Sequence, residues 1–361
     1  MTKISRFFEE LSKSGADAAL ISTTINQRYL SGVEYHDGYI LVTHKRAFAL
    51  ADFRYIEAVK SALYGTEFEV VMPIGSMLME LSALIEENGV RSLIIEDADV
   101  SCKTLERLKK TFGDKVEISG GASEMLSKMR EVKSADEIAK IKKAQEITDA
   151  AFEHILKSLC PSMTEIDIAL ELELFMRKNG AEAVSFDTIA VSGTASSMPH
   201  GVPRNVKLER GFLTMDFGAR YDGYCADMTR TVVLGKADTE MKRLYSTVLS
   251  AQRAALDVYR EGESCFALDK CARDIINGAG YEGCFGHSLG HGVGMLVHEA
   301  PRLSTSAPRD SVLVRGNITS VEPGIYIESK YGCRIEDLAL IGLDGQTENL
   351  TKSPKELIEL F

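Results

Sequence analysis

The order of predicted elements repeats once within residues 135–342, and this repeat constrains the fold more than any other feature of the chain. Helices predicted at 135–158 and 165–179 are followed, further along, by helices at 239–260 and 266–277. Each pair precedes glycine-rich sequence and then a β-hairpin. Residue-level similarity is weak, but the repeated order indicates two related halves with a site between them.

The residues before this repeat alternate between helical and strand patterns, which predicts a smaller α/β domain. Gly120-Gly121 interrupts the pattern, and Ser134 with Glu137 then forms a capping box that should start a long helix. We therefore expect an N-terminal domain over residues 1–125 and a second domain over 126–361.

Composition excludes several classes of protein. The net charge is −11 and no run of Lys or Arg is present, so we expect no nucleic-acid partner. No apolar run approaches the roughly 18–20 residues of a membrane helix. The seven cysteines are scattered without a Cys-x-x-Cys pair, which favours reduced thiols and a cytoplasmic location.

The first hairpin, Gly211–Leu234, carries two aspartates. Alternating apolar residues make it a pair of strands, and a turn at Tyr221-Asp222-Gly223 would place Asp216 and Asp227 opposite each other on one face. Two close carboxylates repel unless they share a cation or a proton. The alternative is a pair of aspartates on a solvated face.

The second hairpin repeats this arrangement with glutamates. Its strands, predicted at 318–328 and 333–341, place Glu322 opposite Glu336. Arg334 should share the face of Glu336 and hold it by a charge-assisted hydrogen bond. Pro323 indicates that the first strand ends or bulges there.

Four of the seven histidines lie in glycine-rich sequence: His200 in MPHG, and His287, His291 and His298 in GHSLGHGVGMLVH. A neutral imidazole is a natural ligand beside hard carboxylates, and His291 is the candidate. Four carboxylates and one histidine balance two divalent cations, which would turn a bridging hydroxide into a nucleophile at neutral pH. The zinc-helix motif His-Glu-x-x-His is absent, and we predict metal-assisted amide hydrolysis on this carboxylate-rich set.

At these residues the chain resembles the pita-bread metallopeptidases, which include aminopeptidase P, prolidase and methionine aminopeptidase. The segments MDFGARYDGYCADMTRT, GHSLGHGVG, SVEPGIY and RIED carry the resemblance. It implies an α+β pita-bread domain with pseudo-twofold halves, preceded by a creatinase/prolidase-like N-terminal domain. It also implies two divalent metal ions, manganese first and cobalt or zinc as alternatives, on five ligands: Asp216, Asp227, His291, Glu322 and Glu336.

The same resemblance implies roles around the metals. Glu322 looks like the proton shuttle, and His298 looks like the residue near the scissile carbonyl. His200 is a further catalytic candidate. The implied substrate-binding residues are His200, His287, His298, Tyr326 and Arg334, with the last two supporting the ligands from behind. Cys225 should share the face of Asp227, which predicts sensitivity of activity to thiol modification.

The N-terminal segment ALADFRYIEA and the pair His200 and His287 favour cleavage before proline. The resemblance to short bacterial enzymes implies an Xaa-Pro aminopeptidase that acts on short peptides with proline in second position. The alternatives are a strict Xaa-Pro dipeptidase (prolidase), a metal-free creatinase, and a binding protein that kept the fold without catalysis. The resemblance also implies a homodimer in which residues 31–37 approach the partner's site.

Overall fold

Side chains cap the helices of the N-terminal unit where the sequence offers Ser or Thr. In the computed structural model, which describes residues 2–361, Thr2 accepts a hydrogen bond from the Ser5 amide, and Thr23 and Ser101 cap later helices in the same way. The helices of this part are α1 Lys3–Ser14, α2 Thr24–Ser31, α3 Ile56–Ala62, α4 Met77–Glu87, α5 Cys102–Phe112 and α6 Ala122–Glu131.

These helices accompany one six-stranded sheet. Its strands are β1 Ala18–Ile21, β2 Tyr39–Thr43, β3 Ala47–Leu50, β4 Phe68–Val71, β5 Ser92–Ile95 and β6 Glu117–Ser119. The spatial order is β4-β3-β2-β1-β5-β6, with β2 antiparallel to both of its neighbours and the other pairs parallel. Leu20, Leu41 and Phe48 of the sheet pack with Leu81 of α4 and Leu108 of α5 in one core.

The chain forms two compact units, Met1–Met129 and Arg130–Phe361. The division falls inside α6, a few residues after the boundary expected at 125/126. We retain 125/126 as a proposal for where the two domains separate.

The second unit contains the repeat. Its helices are α7 Ala135–Ser158, α8 Glu165–Lys178, α9 Thr239–Asp257 and α10 Cys265–Gly278. Residues 161–180 and 261–280 have the same turn and helix assignment at every position, and each segment begins with an isolated β-bridge, at Thr164 and at Ser264. The order of elements therefore duplicates in three dimensions as the sequence predicts.

Each half has its own hydrophobic core. The strands of the second unit are β7 Ala183–Val184, β8 Ile189–Ser192, β9 Gly211–Phe217, β10 Ala219–Tyr221, β11 Tyr224–Cys225, β12 Met228–Leu234, β13 Gly290–Gly292, β14 Glu299–Leu303, β15 Ile318–Val321, β16 Gly324–Ile327, β17 Tyr331–Arg334, β18 Asp337–Ile341, β19 Thr347–Asn349 and β20 Glu359–Leu360. Helices α7 and α8 pack on the sheet ordered β20-β12-β9-β8, and α9 and α10 pack on the sheet ordered β14-β13-β15-β18-β19. Short 3₁₀ segments lie at Gly113–Lys115 and Gly193–Ser197.

None of the helices in residues 2–361 combines the length and apolar character needed to cross a membrane.

Candidate metal centre

The first acidic pair lies where a hairpin breaks. Asp216 is the next-to-last residue of β9 and pairs with Thr229, so the expected register, with Asp216 opposite Asp227, is wrong by two positions. The turn is centred on Asp222 and Gly223, whose φ angles of 46° and 83° suit the tight turns of hairpins. Asp227 lies in the gap between β11 and β12, diagonal to Asp216, and both border one cavity.

The second acidic pair lies at a matching break. Val321 pairs with Asp337 and Gly324 with Arg334, so Glu322 and Glu336 occupy facing positions between the two ladders. The predicted register of this hairpin is confirmed. Pro323 follows Glu322, and strand β15 ends there as expected.

His291 comes from the short strand β13, which is squeezed between β14 and β15. A Cβ atom at Gly290 would lie 2.0 Å from the Ser320 carbonyl oxygen, and one at Gly292 would lie 2.1 Å from that of Ala300. The two glycines are therefore required for this close approach. The Ser320 hydroxyl accepts from the His291 amide and donates to Glu322, which ties the two candidate ligands together.

The ligand atoms converge. His291 Nε2 lies 3.1 Å from Glu322 Oε1 and 3.8 Å from Asp227 Oδ2. One donor atom from each of Asp227, His291 and Glu336 lies within 4.8 Å of the others, and all three residues are buried. This spacing suits side chains that converge on a cation.

Two buried carboxylate oxygens test whether these residues fit a cation. Asp216 Oδ1 and Glu336 Oε1 are inaccessible and have no hydrogen-bond partner in the described part of the chain. An unsatisfied buried carboxylate oxygen is costly, because nothing replaces its lost hydration. Hard oxygen donors with one imidazole nitrogen form the ligand set that Mn²⁺, Co²⁺ or Zn²⁺ accepts, so the residues fit divalent cations.

The pKa shifts of the candidate carboxyl ligands are also consistent with the binding of divalent cations. Burial, together with the charges of Glu336 and Asp216, raises the pKa of Asp227 well above its usual value. Burial and the charge of Glu322 do the same to the pKa of Glu336. For Glu322, burial opposes ionisation, but the hydrogen bond and charge of His291 outweigh it and hold its pKa at about 2. Without cations the folded site therefore favours protons on part of its carboxyl groups.

Arg334 holds Asp216 and does not contact Glu336, which corrects the expected pairing. Its Nη2 donates to Asp216 Oδ2 at 2.6 Å. Its Nε donates to the Thr229 hydroxyl, which in turn donates to Glu336 Oε2 at 2.8 Å. The guanidinium thus satisfies one oxygen of Asp216 directly and reaches Glu336 only through Thr229.

A cavity of about 440 Å³ collects the remaining predicted residues, and its lining includes the five candidate ligands with Arg334, His200, His287 and His298. The His298 ring lies 4.3 Å from the His291 ring, centroid to centroid. Tyr326 lies behind the residues that line the cavity, and its hydroxyl hydrogen-bonds both His287 and Arg334.

Three further residues close to the candidate ligands were not identified as site residues from the sequence. Thr229 and Ser320 lie on the faces of Asp227 and Glu322, so strand alternation was the signal that could have found them. Arg302 also lines the cavity, from β14 directly opposite His291. No local pattern marks it, because β14 pairs with β13 only through the folded sheet.

Cys225 does not face the cavity. It is 2% exposed, its thiol points to the Met295 carbonyl, and burial raises its pKa to about 11. The expected sensitivity of activity to modification of this thiol therefore has no support in the structure.

Comparison with known proteins identifies this architecture. The family model described as Metallopeptidase family M24 matches residues 139–342, and the Creatinase/Prolidase N-terminal domain matches residues 3–132. An Xaa-Pro dipeptidase from Pyrococcus horikoshii is 37% identical over 358 residues, covering 99% of this chain and 98% of the relative.

Two solved structures have the same fold over nearly the whole chain. An Xaa-Pro dipeptidase from Bacillus anthracis superposes with a TM-score of 0.94 at 38% identity, covering 99% of each chain. An X-Pro aminopeptidase from Thermotoga maritima superposes with a TM-score of 0.87 at 38% identity, covering 96% of this chain and 98% of that one. The expected α+β pita-bread fold with its N-terminal domain is confirmed, and the chain belongs to metallopeptidase family M24 as a metallo-exopeptidase that depends on divalent metal ions.

Proposed function

We propose that this chain is an Xaa-Pro dipeptidase, which hydrolyses the single peptide bond of a dipeptide that ends in proline. This reverses the order expected from the sequence, where the aminopeptidase came first and the dipeptidase was the alternative. Relatives named Xaa-Pro dipeptidase cover essentially the whole chain at 37% and 38% identity and support the dipeptidase better. Substrates containing proline are common to both proposals.

The position of Arg302 at the cavity is the observation that favours a dipeptidase over an aminopeptidase. Its side chain is exposed at the edge of the cavity, opposite His291, and its charge lowers the pKa of His298 after the larger effects of burial and His291. No carboxylate within residues 2–361 forms an ion pair with it. A dipeptide presents a free carboxylate on proline, whereas a longer peptide presents a neutral amide there. An unpaired cation beside the site therefore favours the dipeptide.

The remaining residues take roles around the scissile bond. Bound divalent cations would polarise the carbonyl and make water nucleophilic at neutral pH. Asp216, Asp227, His291, Glu322 and Glu336 would hold them. Glu322 takes the proton of the attacking water and delivers it to the departing proline nitrogen, which leaves as a secondary amine.

His200 and His298 are exposed on the cavity wall. Neither makes a hydrogen bond to another side chain in the part of the chain that the structure describes. They are free to donate to the carbonyl oxygen as negative charge develops on it. We assign them this task, with His298 the nearer to the ligands through His291.

A panel of substrates tests the proposal. Xaa-Pro, Xaa-Pro-amide and Xaa-Pro-Xaa are assayed on wild type, Arg302→Met and the control Arg315→Met, an exposed arginine paired with Glu261. We expect wild type to prefer Xaa-Pro and Arg302→Met to lose about tenfold or more on that substrate alone, the value of one charge-assisted hydrogen bond. Equal rates on Xaa-Pro and Xaa-Pro-Xaa, with no selective loss in Arg302→Met, would contradict it.

The second candidate is an Xaa-Pro aminopeptidase. It is favoured by the Thermotoga maritima X-Pro aminopeptidase, whose structure matches at 38% identity. In the same panel it predicts cleavage of Xaa-Pro-Xaa at least as fast as of Xaa-Pro, with no effect of Arg302 on the longer peptide.

The finer expectations also stand as proposals. They are two metal ions per site, with manganese preferred over cobalt and zinc, and a homodimer in which residues 31–37 approach the partner's site. Seven unpaired cysteines agree with a cytoplasmic location. Metal analysis of the purified enzyme and sedimentation of the native protein test the first two.

A further inference from the structure

An ion pair on α10, between buried Asp269 and partly exposed Arg273, is connected to the site by hydrogen bonds. Asp269 is fully buried, and its two carboxylate oxygens accept from Arg273 Nε at 2.8 Å and from Nη2 at 3.0 Å. Asp269 Oδ2 also accepts from the Leu289 amide at 2.8 Å. This bidentate geometry fixes the plane of the guanidinium and leaves its remaining donors directed away from the helix.

Those donors hold the segment that contains His287. Arg273 Nη1 donates to the Phe285 carbonyl at 2.7 Å, and Nη2 donates to the His287 carbonyl at 2.8 Å. The guanidinium also covers the Phe285 ring at 4.3 Å. Together with the Leu289 amide, the pair fixes residues 285–289 at three backbone positions.

Both nitrogens of the His287 ring have hydrogen-bond partners within the protein. Its Nδ1 lies 2.9 Å from the Ser288 carbonyl, which only accepts, so Nδ1 carries the proton. In the neutral ring Nε2 accepts from the Tyr326 hydroxyl at 3.0 Å, and the Tyr326 oxygen accepts from Arg334 Nη1 at 2.7 Å. Neither nitrogen is left for a substrate hydrogen bond. His287 therefore acts as a link toward Arg334 and Asp216 and not as a direct polar contact of the peptide.

The repeat supplies an internal comparison. The positions of α8 that correspond to Asp269 and Arg273 are Ala169 and Glu173, which cannot form such a pair. Helix α8 nevertheless has the same length and the same preceding turn. The ion pair is therefore not needed to build this helical hairpin. Only the second half of the repeat carries the desolvation cost of burying the Asp269 carboxylate.

We propose that Asp269 and Arg273 are positioning residues that fix His287 and, through Tyr326 and Arg334, the carboxylate of Asp216. The activity readout of this proposal rests on the proposed Xaa-Pro hydrolysis. Arg273 touches neither the cavity nor a candidate ligand, and its side-chain connection to Asp216 runs through His287, Tyr326 and Arg334.

The test compares Arg273→Lys and Asp269→Asn, each in wild type and in His287→Ala. Asp274→Asn is the matched control, because Lys270 and Asp274 form an exposed ion pair of the same spacing on the same helix. Kinetics on Xaa-Pro, thermal unfolding and calorimetric titration of Mn²⁺ into metal-free protein are measured for each variant.

We expect Arg273→Lys to lower kcat/KM by about tenfold, as for residues that orient metal ligands from behind. In the His287→Ala background the same substitution should cost less than about twofold, because the link is already cut. Mn²⁺ affinity should weaken in Arg273→Lys and His287→Ala alike, and the control should match wild type throughout.

Full-sized additive losses in the His287→Ala background would overturn the proposal, as would unchanged kcat/KM and Mn²⁺ affinity in folded Arg273→Lys. If Arg273→Lys does not fold, Asp269→Asn is judged by the same coupling to His287. Absence of any Xaa-Pro hydrolysis by wild type would instead refute the proposed function, and the Mn²⁺ titrations would still decide the positioning role.

Discussion

Arg334 crosses between hairpins to donate to Asp216 Oδ2 at 2.6 Å, and by doing so it leaves Asp216 Oδ1 buried without a partner. Both residues are nearly inaccessible, with side chains 4% and 14% exposed. The arrangement neutralises one oxygen of the carboxylate and keeps the other for a cation. Arg334 therefore lines the cavity and is placed to orient the candidate ligand Asp216.

Replacement of Arg334 by Lys should lower both activity and metal affinity. The guanidinium donates to Asp216, Thr229, Tyr326 and the Pro199 carbonyl, and an ammonium cannot reproduce this fork. We expect kcat to fall about 10–100-fold and Mn²⁺ affinity to weaken in the same range. Calorimetry and steady-state kinetics measure the two, with exposed Arg253→Lys as control; unchanged Mn²⁺ affinity would show that Asp216 needs no such support.

Removal of metal should abolish activity and lower the melting temperature. Ligand binding to the folded state alone stabilises it by about 2.7 kcal/mol at a concentration of one hundred times Kd. Glu336→Gln keeps the size of the side chain but loses the charge at the unpartnered Oε1. It should abolish the upward shift of the melting temperature on adding Mn²⁺, whereas Glu328→Gln, on the exposed turn, should retain it. A shift of normal size in Glu336→Gln would exclude Glu336 as a ligand.

Local patterns predicted the parts of the site that depend on one hairpin at a time. The register of Glu322 and Glu336 followed from symmetry about the turn and is confirmed. The same reasoning placed Asp216 two positions from its true partner, because positive φ at Asp222 and Gly223 moves the turn centre. A shift of two residues keeps a side chain on the same face of the sheet, so the prediction that the acidic residues cluster holds despite the wrong register.

Contacts between separate elements were not predictable in the same way. Arg334 was expected to hold Glu336, its neighbour in sequence, but it reaches Asp216 on another strand. The roles proposed for Arg273 and Arg302 depend on the folded packing of α10 and β14, and no sequence motif marks either residue. In the N-terminal unit helix α2 was not predicted, because it has only eight residues and depends on the Thr23 cap and on burial of Tyr29 and Leu30.

Cys225 should resist modification in the folded protein. With a pKa of about 11, roughly one thiol in a thousand is ionised at pH 8, and the side chain is almost fully buried. Iodoacetamide at that pH should label exposed Cys102 and partly exposed Cys160, whose pKa is lowered by hydrogen bonds to Ser162, and should leave activity intact, with Cys225 labelled only after unfolding. Peptide mass spectrometry follows the sites, and Cys102→Ser is the control. Labelling of Cys225 in parallel with loss of activity would restore the role expected from the sequence.

Asp337 should contribute strongly to stability above its unfolded pKa. It directly follows Glu336 and is completely buried against Arg230 at 2.7 Å and Lys355 at 2.6 Å. Burial opposes its ionisation, but Arg230 and Lys355 outweigh burial and lower the pKa below the usual 3.8. A lowered pKa means that the unfolded chain binds the proton more tightly, so this stability is present above about pH 4 and is lost as pH falls through the folded pKa.

Asp337→Asn leaves buried Arg230 and partly buried Lys355 without their counter-charge, so the free energy of unfolding at pH 7 should fall by about 3–5 kcal/mol. Denaturant unfolding at pH 7 and in steps down to pH 3 measures this, with exposed Asp310→Asn as the control. Below about pH 4 the difference between wild type and Asp337→Asn should shrink, because the unfolded wild-type chain then binds a proton at Asp337 that the folded carboxylate does not bind until its lower pKa is reached. A constant difference across the whole range would mean that Asp337 stabilises the fold by shape and hydrogen bonding, with no contribution from its charge.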